Sequence, residues 1–251
     1  MRARAPVERR DDEPAFVLHA YAYKETSLIV EAFTREHGRV GLVARGAKRP
    51  RSEWRGLLQA FQPITVSYAG AAELKTLVKA EWRGGVPPPA GNALLSGFYL
   101  NELLLKLLPR EDAHPALWDE YEASLGALAA TTSPAAQAAV LRRFEVALLA
   151  ALGYALPLTR EAGGGGAIDP DARYHYAFDQ GARPCAAEPA ARWPVVRGAT
   201  LIALAQSRYP DAETAAEAKR LMRDVLDHYL DARRMESRRI VADLQALDDD
   251  R

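Results

Sequence analysis

Between residues 13 and 85 short runs rich in Val, Ile, Phe, Tyr and Thr are punctuated by turn residues, the signature of half-buried strands. Strands are predicted at 16–23, 27–34, 39–44, 64–68 and 74–82. The second and third are joined by Arg35-Glu36-His37-Gly38, where Gly38 can take the positive φ of a short hairpin loop, so these two should pair antiparallel. Five short strands with one longer connection, between the third and fourth, suit a small closed barrel. An OB-fold is the usual five-stranded solution, and an SH3-like barrel is the alternative.

Gly84-Gly85 followed by Pro87-Pro88-Pro89 breaks both strand and helix, and a domain boundary is expected there. Beyond it the apolar spacing becomes helical. A helix over 94–108 is apolar on nearly every side and ends at Pro109; a second covers 115–130. A third starts with Ser133 as N-cap and Pro134 at the first helical position, carries Leu141, Phe144, Leu148 and Leu152 at helical spacing, and stops at Gly153. The four-glycine run 163–166 reads as a flexible loop, and 161–190 as irregular apart from a short hairpin around 174–178. Asp211 caps a late helix carrying Ala218, Leu221, Met222, Val225 and Tyr229, and a short basic helix lies near Arg238. The expected class is therefore α+β: a flexible tail at 1–12, a five-stranded OB-fold β-barrel at 13–85, and an all-helical C-terminal domain at 86–251 with an irregular insertion at about 160–195.

The 251 residues are 49% hydrophobic and 26% charged, typical of a globular protein able to bury a core without staples. Cys185 is the only cysteine, so no intramolecular disulfide forms. The first twelve residues lack a signal peptide's apolar segment, and the most apolar stretch, 94–108, is interrupted by Asn101, Glu102 and Lys106. A cytoplasmic, nucleoid-associated protein is expected. Net charge is zero, yet Arg35, Arg39, Arg45, Lys48, Arg49, Arg51 and Arg55 crowd one segment against only Glu36 and Glu53.

Gly41 to Lys48 superficially resembles a phosphate-binding P-loop, but Ala47 stands where that motif needs Lys and Lys48 where it needs a hydroxyl, so nucleotide hydrolysis is rejected. What remains is a basic loop leaving a barrel strand, with Trp54 close by. Cations neutralise phosphates and an aromatic face stacks bases without reading them, so single strands could be held with little sequence preference. The plainer alternative is a solvated charged loop with no ligand. The five histidines are scattered and not at metal-ligand spacing, so no metal and no other cofactor is expected. Asp169, Asp171 and Asp179 do not make a calcium loop, because Tyr174 stands where the turn needs Gly. No nucleophile motif is present, and an enzyme is not expected. Arg142, Arg143 and Phe144 on the third helix and Lys219 and Arg220 on the late one set cations beside an apolar stripe, a pairing that suits an acidic peptide ending in hydrophobic residues. Beside it stands the reading in which Phe144 is core and the cations form a wet face.

Taken together, Tyr23-Lys24-Glu25, Phe33-Thr34-Arg35-Glu36-His37-Gly38-Arg39, Ala44-Arg45-Gly46-Ala47-Lys48-Arg49 and Leu57-Leu58-Gln59-Ala60-Phe61 resemble the RecO family of bacterial recombination mediators. Tyr99-Leu100-Asn101-Glu102-Leu103-Leu104, Arg143-Phe144-Glu145, Leu152-Gly153-Tyr154 and Ala218-Lys219-Arg220 extend the resemblance through the helical half. It implies an OB-fold followed by a helical domain, binding of single- and double-stranded DNA, annealing of complementary strands without ATP, and help in loading RecA onto DNA coated by single-stranded DNA-binding protein. The implied partners are that protein's acidic C-terminal tail and RecR. The DNA role falls on Arg35, Arg39, Arg45, Lys48, Arg49 and Arg51, and the tail role on Arg143 and its helical neighbours. Some members carry a four-cysteine zinc site after the Leu152-Gly153-Tyr154 equivalent; here the stretch reads Thr159-Arg160-Glu161-Ala162-Gly163. Two other functions remain open: an adaptor whose basic loop holds an acidic protein partner, and an RNA-binding OB-fold protein.

Overall fold

A computed structural model describes residues 8–85, 87–185, 193–230 and 235–240. The chain divides into two units, Met1–Ala129 with Glu236–Arg251, and Ala130–Met235.

In the first unit β1 (Glu8–Tyr23), β2 (Ser27–Thr34), β3 (Gly38–Ala44), β4 (Pro63–Gly70) and β5 (Leu74–Trp82) close into a barrel in the order β1-β2-β3-β5-β4. Every pairing is antiparallel except β3 with β5, a parallel seam made only by Gly41↔Leu74, Leu42↔Lys75 and Val43↔Thr76. Alternate residues point inward: Ala15, Val17, Val30, Ala32, Val40, Leu42, Ile64 and Val66 form the barrel core. The β2–β3 reversal turns on Gly38 at φ +67°, where a Cβ would stand 1.9 Å from the Asp112 carbonyl oxygen.

Strand β1 starts well before residue 16. Residues 8–12, expected as tail, pair with β4 through Glu8↔Gly70, Arg9↔Ala69 and Arg10↔Tyr68, with a register shift before Glu13. Their charged sequence shows no alternation because ladder hydrogen bonds need only backbone, and the Asp12 N–H donates to Ser67 Oγ (3.0 Å). Residues 1–7 of that expected tail lie outside the described residues.

The outer face of β1 and β2 is also apolar, and α1 (Asn92–Leu107) and α2 (Pro115–Ala130) cover it. Phe16 meets Trp118 and Tyr121 at ring-centroid distances of 5.3 and 5.2 Å, and Phe33 meets Tyr121 at 6.0 Å. Trp118 Nε1 donates to the Phe33 carbonyl (3.0 Å), and Asn101 Nδ2 to that of Leu18 (2.8 Å). Burying each such aromatic is worth about 1.5–3 kcal/mol. The expected boundary at 84–89 therefore does not part the two units: α1, α2 and a helical segment at 236–240 pack with the barrel. Glu102 of α1 holds that segment, its carboxylate accepting from Glu236 N (2.7 Å), Ser237 N (2.8 Å) and Ser237 Oγ (2.6 Å).

The second unit holds α3 (Pro134–Ala151), β6 (Arg173–Ala177), β7 (Gly181–Pro184), β8 (Val195–Arg197), α4 (Gly198–Gln206) and α5 (Ala212–Tyr229). The caps are those expected: Ser133 Oγ accepts from Ala136 N, Asp211 Oδ1 accepts from Thr214 N (2.7 Å), and Gly153 follows α3 at φ +87°. The C-terminal half is not all-helical, however. The three strands form an antiparallel sheet in the order β7-β6-β8: β6 and β7 make the hairpin expected around 174–178, and β8 adds a third strand that was not expected. Tyr174, His175, Tyr176 and Ala177 are all buried, so β6 is covered on both faces and the period-two pattern that marks a strand is missing. The glycine run enters a 3-10 turn, Ala162–Gly164, only with its first two residues and lies beside the bridge Arg160↔Ala167. Helix α4, which starts at Gly198 without a side-chain cap, gave no start signal to read.

Candidate nucleic-acid interface

The basic segment leaves β3 as consecutive turns rather than an open loop. Arg49 N donates to Gly46 O (3.0 Å), Ser52 N to Arg49 O (3.0 Å), and a 3-10 turn, Glu53–Arg55, follows with Ser52 as its cap. Lys48 N donates to Thr26 O (2.9 Å) and Lys48 Nζ to Lys24 O (3.3 Å), fastening the segment to the β1–β2 turn. Ala47 and Leu58 are buried against the barrel core, with Trp54 and Leu57 half-buried on it. The apolar residues thus serve as anchors, and the cations face outward.

Seven cations were expected at this site, and the structure sorts them into two sets. Arg45, Lys48, Arg49, Arg51 and Arg55 are exposed, and among the described residues none is paired with a carboxylate. Arg35 and Arg39 are committed elsewhere. Arg35 makes a two-pronged pair with Asp119 of α2 (Nε–Oδ1 3.0 Å, Nη2–Oδ2 3.0 Å) and a third contact with Glu36 (2.8 Å). The hydrogen bond to Asp119 raises the Arg35 pKa, and the same bond holds the Asp119 carboxyl below its usual value. Arg39 donates to the Leu108 carbonyl (2.9 Å) and to Glu31 (2.9 Å), a carboxylate almost wholly buried and also gripped by Arg110. The hydrogen bond that Arg110 donates to Glu31 keeps the Arg110 pKa raised despite the opposing effect of burial. These two arginines tie the barrel to its own helices, and sequence gave no sign of it because the helix-side partners, Asp119 and the Leu108 carbonyl, are remote in the chain. Trp54 likewise spends one face on the barrel core, which leaves less of it for a base.

In the second unit a groove of about 150 Å³ runs between α3 and α5, lined by Ala135, Ala138, Ala139, Arg142, Tyr209, Ala215, Ala216 and Lys219. Lys219 is exposed at its rim, whereas Arg142 is largely buried and ion-paired with the fully buried Glu145 one turn on. Burial pushes the Tyr209 phenol up to about 12, and its hydroxyl has no hydrogen-bond partner among the described residues. Of the residues expected to meet a peptide tail, Arg142 and Lys219 reach this groove. Phe144 does not: it is fully buried, because its place on the α3 stripe faces the core. Arg143 is half-buried on α3, and Arg220 is exposed on α5 outside the groove lining. Tyr209 was missed, since a tyrosine before Pro210 carries no sequence signal of burial. Among the described residues no three His, Cys, Asp or Glu side chains gather as a metal site, and no helix is long and apolar enough to cross a membrane.

Comparison with known proteins agrees with the resemblance read from the motifs. The family model described as Recombination protein O N terminal matches residues 11–86, and Recombination protein O C terminal matches 89–239. A DNA repair protein RecO from Dechloromonas aromatica is 50% identical over 238 residues, covering 94% of this chain and 97% of the relative. That from Aromatoleum aromaticum is 46% identical over 240 residues (96% and 98%), and that from Burkholderia pseudomallei 47% over 236 (94% and 84%). With both of its parts matched and full-length relatives at this identity, the chain belongs to the RecO family and has a role in DNA repair and recombination.

Proposed function

We propose that this protein is a non-enzymatic recombination mediator built on an OB-fold. It binds single- and double-stranded DNA, anneals complementary strands without ATP, and helps load RecA onto DNA coated by single-stranded DNA-binding protein, with RecR as a partner. One observation carries the DNA reading: five exposed cations without carboxylate partners project from a turn segment anchored on the barrel. Such a cluster binds phosphates at whatever sequence they occur and loses affinity as salt rises. The α3–α5 groove supports the protein partner, because its alanine walls take a hydrophobic chain end while the exposed Lys219 at its rim meets an acidic residue.

The test is annealing of complementary oligonucleotides precoated with single-stranded DNA-binding protein, with and without that protein's acidic tail. Annealing without ATP that depends on the tail is the expected result. No acceleration with either form, from folded protein, would overturn the mediator reading and leave an adaptor on a shared fold.

A further inference from the structure

Trp82 ends β5 and is the most exposed large hydrophobic side chain of the described barrel, at 66% of its full accessibility. Its indole makes no ring contact and no hydrogen bond among the described residues. By strand alternation it shares the face of Ala80 and lies opposite Ile64, both core residues, but at the last position of β5 it extends past the packed interior. Arg83, the next residue, turns to α2, where it pairs with Glu122 and lies 5.0 Å over the Trp118 ring. Trp82 faces the other way, into a cavity of about 400 Å³ whose further lining is Gly56, Leu57, Gln62, Gly85, Pro87 and Pro88. That volume lies in the roughly 300–1,000 Å³ range of sites that hold small planar ligands.

The cavity joins the basic segment. Gly56 and Leu57 directly follow Arg55, the last of the five uncommitted cations, so a strand whose phosphates run along Arg45 to Arg55 is delivered to the mouth of this cavity. One wall is then an open indole face and another a pair of proline rings, with the Gln62 amide and the indole N–H of Trp82 as side-chain hydrogen-bonding groups. We infer that Trp82 is a base-stacking platform for single-stranded DNA: an unpaired base enters the cavity and lies on the indole while Arg55 and its neighbours hold the flanking phosphates. This rests on the DNA-binding reading above. It assigns to Trp82 the stacking role that the burial of Trp54 restricts. The occupant is a single strand, because a base in a duplex has both faces covered already.

The test compares the full chain with Trp82→Ala and Trp82→Phe, using an unlabelled oligothymidine, the same length carrying abasic sites, and a duplex, read by tryptophan fluorescence and by competition anisotropy. Because Trp82 is exposed, both variants should melt with the parent. The expected result is quenching of the parent's emission by oligothymidine that is largely missing in Trp82→Phe. Affinity for oligothymidine should fall about fivefold or more in Trp82→Ala and be mostly retained in Trp82→Phe, with little change for duplex or abasic strand. If Trp82→Ala binds oligothymidine as tightly as the parent, the stacking platform is wrong while DNA binding stands. If the parent itself binds neither strand nor duplex at low salt, the underlying DNA reading fails.

Discussion

Replacing Arg45, Arg49 and Arg51 together by alanine tests whether uncommitted cations, rather than total local charge, set the affinity for DNA. All three side chains are exposed, and the segment is anchored instead by Ala47, Leu58 and backbone hydrogen bonds, so the triple variant should fold as the parent does. Each phosphate contact contributes about 0.7 to the slope of log K against log salt for a single strand and about 0.9 for duplex. Losing three lowers the single-strand slope by about 2. Over a fourfold rise in salt the parent should then lose roughly 20-fold more affinity than the variant. The assay is fluorescence anisotropy of a labelled oligonucleotide across a salt series, repeated with unrelated sequences. The control is Arg39→Ala, which removes one positive charge from the same stretch of sequence but breaks a largely buried pair with Glu31. It should cost about 3 kcal/mol of stability, the low end for a buried pair because Arg110 still holds Glu31, and leave the slope unchanged. A parental slope in the triple variant, with binding retained, would refute the assignment; a reduced slope in folded Arg39→Ala would refute the division into free and committed cations.

Phe144→Ala and Lys219→Glu should separate core from groove. The first should cost about 3–5 kcal/mol in denaturant unfolding, while the second should melt normally yet bind an acidic peptide with a hydrophobic end about fivefold more weakly by calorimetry. Gly38→Ala should destabilise the fold, measured as a lowered Tm, because the added Cβ meets the Asp112 carbonyl and the backbone is at positive φ. Burial pushes the Glu102 pKa up, but the hydrogen bonds from Ser237, Lys106 and Glu236 outweigh it and leave the pKa below its model-compound value of 4.5. A depressed carboxyl stabilises fully above its unfolded value and loses that contribution as pH falls through the folded one. The protection of the amides at 236 and 237, taken relative to the intrinsic exchange rate at each pH, should therefore fall in the acid range below 4.5, and in Glu102→Gln it should be low at every pH there.

The barrel was legible because its strands are short runs rich in Val, Ile, Phe, Tyr and Thr set off by turn residues such as Gly38, and the helices because Ser133 and Asp211 cap their starts and Gly153 follows an end. The site was legible only as a surplus of charge. Which cations remain free depends on the folded arrangement: Asp119, which holds Arg35, lies 84 residues away, and Glu31, though only eight residues from Arg39, meets it only once β2 and β3 are paired and the Leu108 carbonyl and Arg110 close around them. Phe144 was ambiguous for a related reason: a residue on a helical stripe reads the same whether the stripe meets the protein's own core or a partner. Strand β8, only three residues long, and the charged start of β1, held by backbone alone, each lack the periodicity by which strands are found.

The cover that α1 and α2 give the barrel limits how such proteins can be recombined. The family models meet at 86–89, which invites exchange of the barrel between relatives at that junction. A barrel cut there would expose Phe16 and Phe33 and strand the Leu18 and Phe33 carbonyls that Asn101 and Trp118 now satisfy. Chimeras joined near 130 and 235 would carry the barrel with its own helices and transplant the α3–α5 groove as a unit. Partner choice could thus be exchanged between relatives by grafting without disturbing the surface proposed to hold DNA.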